Sequence, residues 1–224
     1  MFENVLGQDA LRQLVSDLGE DALAPSLLFF GPEASGKGSA ALELGRVLSC
    51  ENPAAPWNCS CPACARHRRL IHPDLLMLGP RSFSAEIAAS AAAFLRDPAV
   101  QAARFLFVRS VRRLLARFSP VLWENDRRIG KLNPLIEALE EGLDTLEAAG
   151  TGGERETAEE ILQSSVKLEA DGLGDLIPVD HIRLAALWSR LAPLGNRKLL
   201  VIENADRMRD EARNSLLKIL EEPP

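Results

Sequence analysis

Residues 26–39, SLLFFGPEASGKGS, decide how this chain is read. After Pro25, SLLFFG is a mostly apolar run closed by Gly31, which predicts a fully buried strand of the kind found in parallel sheets. The segment that follows, SAALELGRVLSC (39–50), carries Leu42, Leu44, Val47 and Leu48 and predicts a helix. Strand, glycine-containing loop and helix form the context a phosphate-cradling loop requires, and GPEASGK satisfies G-x-x-x-x-G-K. Gly31 and Gly36 let backbone N–H groups turn toward a phosphate, the helix N-terminus adds positive potential, and Lys37 reaches the outer phosphates. The next position normally holds a Ser or Thr whose hydroxyl binds Mg²⁺, and Gly38 has none. Ser39 sits one residue late, about 100° further round the helix, so it does not take over that role. The plainer alternative is a glycine-rich turn that binds nothing, as in many α/β proteins.

Working outward, DALRQLVSDL (9–18) spaces Leu11, Leu14, Val15 and Leu18 as an amphipathic helix that stops at Gly19. DLLMLGP (74–80) and KLLVIENA (198–205) are two further strand candidates. DHIRLAALWSRLA (180–192) reads as a helix, and so does DEARNSLLKILEE (210–222), with Ala212, Leu216, Leu217 and Leu220 on one face. This alternation predicts an α/β protein with a parallel sheet.

Residues 81–177 break the alternation and read as three or four helices, near 84–96, 98–117, 132–149 and 154–168, with TGG at 151–153 as a flexible connection. Charge is segregated along them. Arg96 to Lys131 holds nine basic and three acidic residues; Glu137 to Asp175 holds twelve acidic and two basic. One reading packs the two halves as antiparallel helices with complementary surfaces. The other makes Arg109, Arg112, Arg113 and Arg117 an exposed basic face for DNA or an acidic partner.

The chain of 224 residues is 46% hydrophobic and 26% charged, ordinary values for a globular protein, and its net charge of −6 argues against a generally basic nucleic-acid coat. No apolar run approaches the roughly 20 residues that span a bilayer, and MFENVLGQDA lacks a secretory signal pattern. A cytoplasmic location is therefore expected. In that reducing compartment Cys50, Cys59, Cys61 and Cys64, spaced C-x8-C-x-C-x2-C, suit a closed tetrahedral Zn²⁺ site, with reduced free thiols as the alternative. His67 is a substitute ligand, whereas His72 is expected to shape the turn before Pro73. Arg66, Arg68 and Arg69 read as a solvated helix face or as a contact for a neighbouring subunit.

Hydrolysis at a phosphate loop also needs an acid at a neighbouring strand end to order Mg²⁺, then a carboxylate that polarises water. In LLVIENADRM (199–208) Glu203 stands at the first place and Asn204 at the second. Asn cannot take a proton, and the longer Glu alters the metal geometry. With Gly38 these make three losses in the same direction.

Phe2-x-x-Val5-x-Gly7-Gln8, GPEASGK, the cysteine cluster, His72-Pro73-Asp74, IPVDHIR, VIENADRM and the closing NSLLKILEEPP resemble bacterial DNA polymerase III clamp-loader subunits, in family order and with 82–177 unmatched. The degenerate IENAD resembles the delta-prime type more closely than the ATP-hydrolysing gamma/tau type. The resemblance implies an AAA+ P-loop core over 1–81 and 178–224, including a zinc module at 50–64, and a helical insertion over 82–177. It implies a stator-like delta-prime subunit without ATPase activity of its own, a component of the DNA-directed DNA polymerase holoenzyme. Its partners would be other clamp-loader subunits in a hetero-oligomeric ring, the sliding clamp, and primer–template DNA through the complex, with no membrane. The degenerate nucleotide-binding set would be Gly31, Gly36, Lys37, Gly38, Ser39, Glu203 and Asn204, with no catalytic residue, a structural Zn²⁺ on the four cysteines, and ATP doubtful. The family usually has one more residue between its second and third cysteines. Its arginine for a neighbour's ATP site lies in a Ser-Arg-Cys motif beyond EEPP, so the chain is expected to be cut short before a central strand of its sheet. The alternatives are a gamma/tau-type ATPase subunit and a small-molecule P-loop kinase.

Overall fold

A computed structural model describes residues 1–7, 9, 13, 23–148 and 153–223. The helix expected over 9–18 falls, but for two residues, outside that set, as do two residues of the TGG connection. Helix α1 (Lys37–Leu48) follows the G-x-x-x-x-G-K loop, and α2 (Pro62–Arg68) follows the cysteine-rich turn. Strand β1 (Leu75–Leu78) leads into α3 (Ser84–Arg96) and α4 (Gln101–Leu115), which tightens into a 3₁₀ turn (Ala116–Phe118). Then come the short α5 (Pro120–Trp123), α6 (Ile129–Glu147), α7 (Glu154–Gly172) and α8 (Val179–Ser189). Strand β2 (Leu199–Ile202), a 3₁₀ turn (Ala205–Arg207) and α9 (Asp210–Glu221) complete the order.

The sheet among the described residues is the parallel pair β1–β2, with Leu75 opposite Leu199 and Leu78 opposite Ile202. Its apolar runs are continuous because both faces are covered. With a side-chain period of two, Leu76 and Leu78 face the main core, while Met77 joins Val201, Leu42 and Leu70 on the other face. Most of the ordered structure is helical. The sequence expectation of a third strand at 26–30 is not met. The segment pairs with neither β1 nor β2, and Leu28 and Phe30 are 84% and 89% exposed. An apolar run becomes a buried strand only where a ladder partner and two covering layers exist. Here Phe29 alone of Leu27 to Phe30 packs inward, against the small cluster of Phe2, Val5, Leu44 and Val47.

The helices from 84 to 172 are not an appendage with a separate core. Phe94 of α3, Phe107 and Leu114 of α4, Leu139 and Leu143 of α6 and Ile161 of α7 share one apolar cluster with Leu76 and Leu78 of β1 and Ile182 of α8. Gly142 lies against Ile161 and Gly172 against Leu132, so α6 and α7 run antiparallel in close contact. Complementary charge joins these helices. Arg112 of α4 pairs with Glu147 of α6 at 3.3 Å, and Arg104 with Glu154 of α7 at 3.0 Å. The N-terminus of α3 has no cap of its own and borrows one. Glu169 of α7 accepts from the backbone N–H of Phe83 (3.0 Å) and Ser84 (2.8 Å), placing a carboxylate on the positive end of the helix.

Candidate functional site

The G-x-x-x-x-G-K loop is held by its own backbone conformation. Gly31, Ala34 and Gly36 all have positive φ, and Gly36 at +82° stands directly before α1. Lys37 does not extend toward open space. Its ammonium donates to the carbonyls of Gly31 (2.9 Å) and Pro32 (2.5 Å) and to Ser35 Oγ (3.3 Å), and so binds the loop to itself. Ser39 is exposed on α1.

Glu203 follows β2 directly, and its backbone N–H donates to Leu78 O at 2.9 Å, so the strand pairing sets its position at the mouth of the loop. Gly79 permits this closeness, since a Cβ there would fall 2.0 Å from Glu203 O. The Glu203 carboxylate is surrounded by guanidinium groups. Arg113 Nη2 lies 2.7 Å from Oε1 and Arg81 Nη1 3.4 Å from it, and Arg117 Nη2 bonds Oε2. Glu86 of α3 joins the cluster through Arg81 (2.5 Å) and Arg113 (3.3 Å). Burial raises the Glu203 pKa, but Arg117, Arg113 and Arg81 outweigh it and hold the carboxyl below its ordinary value. Arg117 is 2% exposed and its pKa is lowered as well, which for a base disfavours the charged form: burial brings it to about 10, against the attraction of Glu203. The two shifts agree physically once the sharing is counted. Glu203 gains from three cations, while Arg117 shares that one carboxylate with Arg113 and Arg81. Glu203 and Arg117 both remain charged at neutral pH.

Asn204, expected from the sequence to stand in place of a water-polarising carboxylate, is in the left-handed region (φ +51°), and its amide donates to Pro80 O at 2.7 Å. It acts as a clasp between the ends of β1 and β2. Gly38 of the loop, Glu203 and the adjoining Asn204 are thus brought together, but with no hydroxyl at position 38, an acid already engaged by arginines, and an amide in place of a base. Three arginines against Glu203 and Glu86 leave the cluster net positive, so it does not fit a divalent cation.

The four cysteines converge. Their sulfur atoms all lie within 4.8 Å of one another, and Cys50 and Cys59 are 3.6 Å apart. That is far beyond a disulfide bond and close to the roughly 3.8 Å edge of a tetrahedron with Zn–S bonds of about 2.3 Å. The missing residue between Cys59 and Cys61 does not prevent the convergence, because Cys61 caps α2, its Sγ accepting from Cys64 N, and Pro62 opens the helix. Burial alone would raise Cys61, but hydrogen bonds from the backbone N–H of Glu51 and Cys64 bring it to about 7, whereas burial pushes Cys64 up to about 12. The donor set fits a four-thiolate metal centre.

The sequence did not point to Arg46. This 1%-exposed guanidinium pairs with Glu43 at 2.6 Å and donates to Cys64 Sγ at 3.0 Å, to Pro56 O and to Ala55 O. Trp57 covers it, with the guanidinium 5.6 Å from a ring centroid. His67, expected as a substitute ligand, points elsewhere. Its Nε2 is 2.9 Å from Ser49 Oγ, its ring stacks on His72 at 4.2 Å, and burial holds its pKa down at about 3, so the ring is neutral. His72 does shape the turn, its Nδ1 accepting from Asp74 N. Arg66 is exposed, Arg68 donates to Trp57 O at 2.7 Å, and Arg69 pairs with Glu147 of α6.

Of the two readings of these helices, the packing of complementary surfaces holds, and the basic face for DNA or an acidic partner does not, because of where its members point. Arg112, Arg113 and Arg117 are buried in internal ion pairs, and Arg109 donates to the carbonyls of His67 and Arg68. The i,i+4 spacing of Arg113 and Arg117 showed that they share a side of the helix. Nothing local in the sequence shows that this side meets Glu203, 90 residues from Arg113.

A family model described as DNA polymerase III, delta subunit, matches residues 7–130 and 154–224. It skips 131–153, most of α6 and the passage into α7, and runs through the other helices between β1 and β2. No curated protein and no solved structure matches the chain. No helix among the described residues is long and apolar enough to cross a membrane. Because the match covers most of the chain and takes in the loop, both strands and the cysteine cluster, the chain belongs to the DNA polymerase III delta-subunit family of clamp-loader proteins.

Proposed function

We propose that this protein is a non-hydrolysing, delta-prime-type subunit of the clamp loader, a stator that helps place the sliding clamp on primed DNA as part of the polymerase III holoenzyme. In this reading 1–81 and 178–224 form an AAA+ P-loop core with a zinc module at 50–64, and 82–177 is a helical insertion. Gly31, Gly36, Lys37, Gly38, Ser39, Glu203 and Asn204 are the remains of a nucleotide site. The partners are the other subunits of the cytoplasmic loader ring, the clamp, and primer–template DNA through the complex. One observation carries the reading. The acid at the strand end is consumed by Arg113, Arg117 and Arg81, and the residue that should polarise water is an amide spent on Pro80 O. ATP turnover needs that acid for the metal and that base for the water.

Cys50, Cys59, Cys61 and Cys64 would hold a structural Zn²⁺ in this reading. When bound, the ion ties the end of α1 to the start of α2 at a closed site and adds its binding energy to folding. Arg46 neutralises part of the thiolate charge and keeps Cys64 in place.

The test is turnover and assembly of the full-length protein. It should form a complex with the other loader subunits and support clamp loading, while hydrolysing no Mg²⁺-ATP alone. Measurable steady-state hydrolysis by the purified subunit would transfer the assignment to the gamma/tau type. Loss of clamp-loader subunits from its pull-downs would remove both.

A further inference from the structure

Gly38 lies against the ion pair between Arg113 and Glu203. A Cβ at residue 38 would fall 2.7 Å from Arg113 Nη2 and 2.7 Å from Glu203 Oε1, so any side chain there would have to share the space of the guanidinium. In Mg²⁺-nucleotide phosphate loops the hydroxyl at this position and the acid at the neighbouring strand end hold the metal between them. Here the cation between those two places is a guanidinium delivered by α4, and Arg117 and Arg81 back it on the same carboxylate. It is tethered, buried and planar, and it already satisfies Glu203. A divalent ion would enter a cluster whose three arginines outnumber its two carboxylates, Glu203 and Glu86. Lys37 is likewise turned back onto the loop carbonyls.

We infer that Arg113 is a built-in replacement for the metal of this site, a tethered cation that fastens α4 to the end of β2 against Gly38 of α1 and closes the loop to Mg²⁺-nucleotide. Gly38 is its complement. The glycine is not a lone lapse from the Ser/Thr pattern but the absence of a side chain that the guanidinium needs. The inference rests on the non-hydrolysing reading of the same loop and names what closes it. Restoring Thr at residue 38 is therefore no repair while Arg113 remains. The new side chain would collide with the ion pair instead of meeting a metal.

The experiment titrates ATP calorimetrically into the full-length protein with and without added Mg²⁺, omitting chelators so that cysteine-bound metal stays, and records Tm. Wild type, Gly38→Thr, Arg113→Met and the double variant are compared. Wild type and Gly38→Thr should gain no affinity from Mg²⁺, whereas Gly38→Thr with Arg113→Met should gain about tenfold or more. Gly38→Thr alone should lower Tm by about 4 °C or more, and much less when Arg113→Met is also present. Mg²⁺-dependent tightening in wild type or in Gly38→Thr overturns the inference. So does a double variant that folds but gains nothing from Mg²⁺, or a Tm loss equal in both backgrounds. Should the double variant fail to fold, the first two proteins decide: absence of Mg²⁺ dependence together with the Gly38→Thr loss of Tm supports the replacement. Mg²⁺-ATP binding by wild type without turnover would sink this inference and leave the stator reading intact, while turnover would sink that reading.

Discussion

Glu203 is one carboxylate shared by Arg113, Arg117 and Arg81, and its removal leaves the buried Arg117 with no counter-charge, while Arg113 and Arg81 keep Glu86. Breaking one side of a buried ion pair costs about 3–5 kcal/mol, and the slight exposure of this site favours the lower end. Glu203→Gln is expected to lose about 3 kcal/mol of stability at pH 7 in denaturant melts. The pH dependence has a definite sign. The folded pKa of Glu203 lies below its ordinary 4.5, so its contribution is complete above that pH and fades as pH falls through the depressed value. The melts of wild type and Glu203→Gln should therefore converge in acid; a constant gap would show that the charge is not responsible. At this scale the sequence showed the identities of Gly38, Glu203 and Asn204 and the chemistry they lack. It did not show Arg113 beside them, because that contact depends on how α4 lies over the strand ends.

At the scale of elements, helix ends and the cysteine turn carry the most legible consequences. Glu169 caps α3 from another helix, a partnership 85 residues apart that no capping-box pattern announces. Glu169→Ala should cost about 1–2 kcal/mol and raise amide exchange in the first turn of α3 while leaving its last turn unchanged. The cysteine cluster was readable from spacing because all four thiols lie within fifteen residues, Cys50 to Cys64. Metal removal gives its test. Ligand thiols must lose their protons to bind, so acidification or a chelator should release about one Zn²⁺ per chain and lower Tm, with affinity rising as pH rises. Cys64→Ser should mimic the loss, and Arg46→Met should weaken retention without removing a ligand. The strand expected at 26–30 fails at this same scale. Its apolar composition was read correctly, but a strand is a property of a ladder, and these residues find no partner in β1 or β2.

Across the whole molecule, the helices between β1 and β2 and the small sheet share one apolar core. Leu143 of α6 is fully buried in it although it lies within the stretch outside the family match. Leu143→Ala should cost about 3 kcal/mol. It should also lower the melting of the sheet end along with the helices, followed as one transition by far-UV circular dichroism and tryptophan fluorescence. Two separated transitions would show an independent helical unit. By itself the sequence determined the local chemistry: the loop motif and its missing hydroxyl, the Glu–Asn pair after a strand, the four-thiol cluster, and the periodicity of most helices. These are legible because each is set by neighbours within a few turns of chain. Only the tertiary structure decided that the arginines of α4 face inward rather than toward a ligand and that residues 26–30 lie open. It also placed the guanidinium of Arg113 against the acid and the glycine. Those outcomes depend on which elements pack across 41 to 124 residues, where burial and charge pairing select among faces that local pattern leaves equivalent.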